Sequence, residues 1–175
     1  MFPWTHAAFG YLLLVVGTVL LRRTVSRAEL VAVIAGTQFA DVVDKPLAWT
    51  VTVLPSGRSL AHSLLFAVPL CLLVLAVAWH RSHPEVGTAF GLGYASHLLG
   101  DTYTAIRYWN PQEFGFLLYP LLPPHPEKFG SFGAFLDQLT VTSDFMMALV
   151  AAAALGTLFL VQFARAPPWA NARTE

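Results

Sequence analysis

The chain has 175 residues, 56% of them hydrophobic and only 11% charged, and its formal net charge at pH 7 is zero. Soluble domains carry about 25% charged residues, so the composition, with a mean hydropathy of +0.60, excludes an ordinary soluble domain and points to the membrane. A neutral chain has no basic footprint for nucleic acid, and one cysteine, Cys71, excludes an intrachain disulfide framework.

A membrane helix needs about 20 mostly apolar residues. The first such run covers residues 6–21, just after Thr5. It has no basic leader and no small-x-small cleavage site, so it reads as a membrane helix and not as a removable signal. The second covers 28–44 and ends in the polar FADVVDK. The third, 60–79, is the clearest, and Cys71 lies within it as a small packing residue. The fourth, 86–103, contains GLGYASHLLGD. Residues 107–135 are rich in proline, glycine and aromatic side chains. The stretch FGFLLYPLLP is too short to span and is broken by Pro120, Pro123 and Pro124, while aromatics favour the membrane–water interface. This segment reads as an interfacial lid, and His125 within it reads as a surface residue. The fifth run, 144–164, opens at Asp144, expected as its N-cap. The predicted fold is therefore all-α: a polytopic membrane helix bundle of about five transmembrane helices plus the lid. Residues 1–164 form one domain and 165–175 a short polar tail.

Basic residues set the orientation. Arg22, Arg23, Arg27, Arg81, Arg165 and Arg173 fall on one side, and Lys45, Arg58, Arg107 and Lys128 on the other. The positive-inside rule puts the six-residue side in the cytoplasm and the N-terminus outside. The expected location is the plasma or inner membrane.

Polar residues then gather at one end. His6 opens the first run, Asp41 and Asp44 close the second, His62 opens the third, and His97 and Asp101 close the fourth. Successive spans alternate in direction, so all six meet at one membrane face, on this orientation the non-cytoplasmic one. His97 and Asp101 are spaced i,i+4 and share a helix face. The spacing from His6 to Asp41 is 35 residues, as is that from His62 to His97, which suggests a duplicated helical hairpin. A charged group inside hydrocarbon is costly and marks a functional site by default. Three carboxylates and three imidazoles without thiolate suit one or two divalent cations, with zinc leading and manganese or iron as alternatives. Thr5, Gln38, Ser63, Ser96 and Thr104 flank these positions as candidate hydrogen-bond partners. His80 and His83 fall at the opposite face and read as loop residues.

The quoted motifs resemble those of the membrane-bound metal-dependent hydrolases, inner-membrane proteins distantly related to zinc-dependent phospholipase C. The shared elements are Thr5-His6, the Asp41/Asp44 motif, Arg58 with His62-Ser63, His97 with Asp101, and FGFLLYPLLP. The likeness covers residues 3–124. Ala40, Gly57 and Ala61 replace the Pro, His and Thr usual there, and the aspartates stand three apart where two is usual. The resemblance implies a metal centre of His6, Asp41, Asp44, His62, His97 and Asp101. It also implies hydrolysis at that centre.

On the residues, a metal would activate water and polarise a phosphoryl or carbonyl oxygen. Asp44 or Asp101 would be the general base, and Arg58 and Lys45 would hold a phosphate. The expected substrate is a phosphoester or lipid-linked compound, and the expected partner is membrane lipid. Two other classes stand beside this one. A transporter or non-enzymatic metal-binding protein is disfavoured because transport sites sit near the midplane. A purely structural polar network is disfavoured because membrane hydrogen bonds contribute only about 0.6 kcal/mol each.

Overall fold

The computed structural model describes residues 2–124, 130–137 and 141–169; His125, Lys128 and Arg173 lie outside them. Six α-helices and one 3-10 helix, and no strand, are found among the described residues: α1 Pro3–Leu20, α2 Arg27–Trp49, α3 Leu64–His80, α4 Pro84–Arg107, the 3-10 helix Pro111–Leu118, α5 Phe132–Asp137 and α6 Ser143–Arg165. The all-helical expectation holds.

Local chemistry explains where the helices begin. Pro3 occupies the first position of α1, where its missing N–H is not needed and its φ suits the helix. Ser26 and Glu29 form a reciprocal capping box at α2. Ser63 caps α3 by accepting from the Leu65 amide, so α3 starts four residues later than expected and His62 lies in the turn before it. Thr142, not Asp144, caps α6, accepting from the Phe145 amide at 3.1 Å. Asp144 sits in the first turn instead, where a negative charge favours the helix dipole. At the far end, α2 runs past Asp44 to Trp49, through Pro46.

The helices form two antiparallel hairpins, α1–α2 and α3–α4. They pack so that α2 and α4 run in the same direction at the centre of the bundle and share its largest interface. Two glycines allow this. A Cβ on Gly36 would strike the Phe90 carbonyl, and one on Gly93 would strike the Val33 carbonyl. Gly10 plays the same part for α1, since a Cβ there would meet Thr37 and Ser96. Each of these glycines lies about one helical turn from His6, Asp41 or His97. The backbones are closest just beneath the polar cluster.

The lid expectation takes a definite form. The 3-10 helix packs on α3 and α4, Phe116 is buried, and the Ser63 hydroxyl donates to the Tyr119 carbonyl at 2.6 Å. Helix α6 lies against α1. Its C-terminal end is tied to the start of α2. There Arg27 donates through its amide to the Pro167 carbonyl and through its guanidinium to the carbonyls of Phe163 and Ala164. These bonds satisfy groups that helix ends leave open. The start of the tail is thus docked against the bundle, and His83 stacks on Trp169 there, far from the polar cluster in chain and fold.

Among the described residues two helices, α1 and α6, are long and apolar enough to cross a membrane by length and composition. This is fewer than the five expected. Helix α3 is apolar but has 17 residues. Helices α2 and α4 have 23 and 24 residues, long enough at 1.5 Å each, but their buried faces carry the polar residues that lower hydropathy.

Candidate metal centre

Four buried side chains from three parts of the chain converge: Asp41 on α2, His62 in the turn before α3, and His97 and Asp101 on α4. Each offers one ligand atom, and these atoms lie within 4.8 Å of one another. The Nε2 atoms of His62 and His97 are 3.0 Å apart. From His62 Nε2, Asp41 Oδ1 is at 3.5 Å and Asp101 Oδ2 at 3.3 Å. From His97 Nε2 the same two oxygens are at 3.8 and 3.7 Å. A tetrahedral ion with ligands at about 2.0–2.2 Å implies ligand–ligand separations of about 3.3–3.6 Å. The separations from the two imidazoles bracket that range, so the donor set could hold a metal ion.

The tautomers point the same way. His97 Nδ1 faces the Thr37 carbonyl at 2.7 Å, which accepts and so requires the proton on Nδ1. His62 Nδ1 faces the Asp44 carboxylate at 2.8 Å, which likewise receives an N–H. Both Nε2 atoms therefore face the cluster, as in metal sites whose histidines are oriented through the other ring nitrogen. Two lone pairs at 3.0 Å repel unless a cation or a proton lies between them.

Asp44 stands outside this set of four. Its carboxylate accepts the backbone amides of Ser59 (2.9 Å), Ala61 (2.8 Å) and His62 (3.2 Å), as well as His62 Nδ1. It holds the turn before α3 over the end of α2 and aims His62. Three of those four bonds end on Oδ2 and one on Oδ1. His6 also stands outside the set. Its Nε2 is 3.2 Å from Asp101 Oδ1, and its ring stacks on His97 with centroids 4.1 Å apart. Its Nδ1 is buried without a partner.

Two cations close the cluster on its outer side. Lys45 Nζ is 2.6 Å from Asp41 Oδ2, one turn along α2. Arg58 forks onto Asp101, with Nε at 3.1 Å from Oδ2 and one terminal nitrogen donating to Oδ1 at 3.2 Å. Its side chain is 42% exposed against 3% for Asp101, so Arg58 is the member that reaches the surface. Phe116 of the lid stands edge-on to His62 at 6.1 Å.

Thr37 and Tyr94 were not legible as site residues. Thr37 acts through its carbonyl, which every residue has. Tyr94 is buried and donates its hydroxyl to the Ala61 carbonyl at 2.5 Å, bracing the turn that carries His62. Its apolar surroundings in sequence gave no signal. Among the flanking polar residues, Gln38 donates to the Pro3 carbonyl at 3.1 Å and ties α2 to the start of α1. Ser96 donates to the Gly93 carbonyl within α4, and Thr5 to the Phe2 carbonyl at the start of α1.

These features define a class: a helical membrane protein with a buried His/Asp centre at one end of its bundle. The chain belongs to the YdjM inner membrane protein family, whose model matches residues 1–170. It is thus an inner-membrane protein. No curated protein and no solved structure matches it.

Proposed function

We propose that the protein is a metal-dependent hydrolase of the phospholipase C-like kind, acting on a lipid-linked phosphoester at the membrane surface. The observation that carries this reading is the pair of imidazole Nε2 atoms 3.0 Å apart, flanked by carboxylate oxygens of Asp41 and Asp101. Asp41, His62, His97 and Asp101 would hold the ion. A bound divalent ion supplies Lewis acidity and a lowered pKa for water. Four protein ligands close a tetrahedral site, whereas a five- or six-coordinate ion keeps positions open for water and substrate. Zinc in expanded coordination, manganese and iron all meet that requirement.

The surrounding residues divide the remaining work. Arg58, with Nε and one terminal nitrogen on Asp101, holds the phosphoryl oxygens with its remaining N–H groups. Asp101 bridges Arg58, His6 and the ligand set. His6 donates Nε2–H to Asp101, which leaves Nδ1 as the acceptor for a proton from water, the role earlier expected of Asp44 or Asp101. Asp44 positions His62. All five apolar segments cross the membrane in this reading, with the site on the non-cytoplasmic side.

A second reading has its own support. Lys45 and Arg58 already neutralise Asp41 and Asp101, and one proton shared by the two Nε2 atoms would balance Asp44. The cluster would then be a structural network joining α2, α4 and the turn before α3.

Elemental mass spectrometry on detergent-purified wild type, His97→Ala and His6→Gln separates the two. The hydrolase reading expects metal in wild type, none in His97→Ala, and full metal with lost phosphoester turnover in His6→Gln. Wild type without metal after reconstitution with zinc, manganese and iron leaves the structural network.

A further inference from the structure

The face between α3 and α4 that does not meet α2 is an open apolar groove of about 600 Å³. Leu64, Val68, Cys71 and Leu75 line it from α3, and Gly91 and Leu98 from α4. Its depth comes from two glycines. Gly87 lets α4 press onto Leu75 at the far end, and Gly91 leaves open space where a side chain would project. The hydroxyls among its α4 lining residues are engaged: Thr88 donates to the Pro84 carbonyl of its own helix at 2.9 Å and Tyr94 to the Ala61 carbonyl at 2.5 Å. A groove walled this way offers nothing to a polar ligand.

Its two ends differ. Leu75 and Gly87 mark the end remote from the metal centre. Leu64 and Leu98 mark the other, and they follow Ser63 and His97 directly in the chain. Asp101, with the Arg58 guanidinium on it, stands one turn beyond Leu98, about 4.5 Å along the axis. From Leu64 to Leu75 the groove is about 16 Å long. That is about half of the ~30 Å hydrocarbon thickness of a bilayer, the depth of one leaflet and the reach of one acyl chain.

We propose that the α3–α4 groove seats one acyl chain of a bilayer phospholipid whose phosphate lies against Arg58 at the metal centre. The occupant follows from three features together: a leaflet-long apolar trough in an inner-membrane protein, a half-exposed guanidinium above one end, and no charged residue in its lining. The placement of the phosphate rests on the reading of Arg58 under the proposed function; the placement of the chain does not. A second apolar groove, about 690 Å³ between α1, α2 and α6, differs in that the cation near its end, Arg27, 5.7 Å from the Phe163 ring, is committed to the carbonyls of Phe163 and Ala164. Its upper end is closed by Trp4, stacked on Phe2 at 4.7 Å and edge-on to Phe145. It serves as the internal control, because Gly156 leaves open space there as Gly91 does in the first groove.

The test uses full-length protein in phosphatidylcholine nanodiscs containing phosphatidic acid with a diazirine at the end of one acyl chain. Crosslinks are mapped by peptide mass spectrometry, with and without chelator. Labelling is expected on the α3–α4 groove, several-fold above the exposed Met147–Val150 face of α6. It should be lost in Gly91→Leu and in Leu72→Trp, which fills the same space from the other wall, and unchanged in Gly156→Leu. Arg58→Gln, or a diazirine diacylglycerol lacking phosphate, should reduce it to the level of the α6 face. The readout needs neither metal nor turnover, so a protein without metal that still labels this groove retains the lipid site and loses only the hydrolase reading. Equal labelling of groove and α6 face, indifference to Gly91→Leu, or labelling of the other groove overturns the acyl site. Labelling indifferent to phosphate and to Arg58 overturns the headgroup placement.

Discussion

A histidine becomes a useful ligand only when its second nitrogen is occupied. Thr37 does this for His97 through a main-chain carbonyl and Asp44 does it for His62 through a carboxylate. Only the second can be removed by a side-chain substitution. Asp44→Asn keeps the size of the side chain but presents an amide where backbone donors converge. It is expected to weaken metal binding by about 10–100-fold, as loss of an orienting partner does, and titration with a metal-sensitive indicator measures this. Asp44→Ala should also destabilise the fold, since each buried amide left without an acceptor costs about 1–3 kcal/mol. Metal binding should weaken as pH falls, because protons compete for both Nε2 atoms and the carboxylates. Calorimetry in buffers of different ionisation enthalpy should register proton release on binding. Absence of that release at every pH would mean that no proton sits between the imidazoles before the metal enters.

At the scale of the element, the decisive contacts are made by residues with no side chain. Gly36 and Gly93 let α2 and α4 approach until each meets the other's carbonyls. Gly93→Leu should cost about 1–3 kcal/mol or more from overpacking. It should also lose metal, because His97 lies one turn further along the same helix. Gly156→Ala on α6 meets nothing and should be neutral or stabilising by about 0.5–1 kcal/mol through helix propensity. Thermal unfolding in detergent compares the two. If both behave alike, the α2–α4 crossing is looser than the contacts imply.

For the whole molecule, the question is which end faces the cytoplasm. The positive-inside rule, applied to the excess of arginine at the end remote from the centre, predicts that the centre lies outside. With Cys71→Ser as background, Val53→Cys in the loop beside the centre should react with an impermeant maleimide in intact spheroplasts. Ser82→Cys at the other end should react only after permeabilisation. The reverse pattern would put the centre in the cytoplasm. Both positions are exposed.

The sequence by itself determined the helical class, the membrane setting and the gathering of His6, Asp41, Asp44, His62, His97 and Asp101 at one end. Hydropathy and spacing report these because apolar length sets a span and alternating direction sets which ends meet. The hairpin spacing is equally legible, and α1–α2 and α3–α4 carry it. What tertiary structure alone decided is the division of labour among the six. Whether a carboxylate faces an imidazole nitrogen or a row of backbone amides depends on the path of the turn from Ser59 to His62, and composition does not encode that path. The same holds for helices α2 and α4. They fall short of a membrane span by hydropathy because they carry the site, and only their packing shows that those polar faces are turned inward.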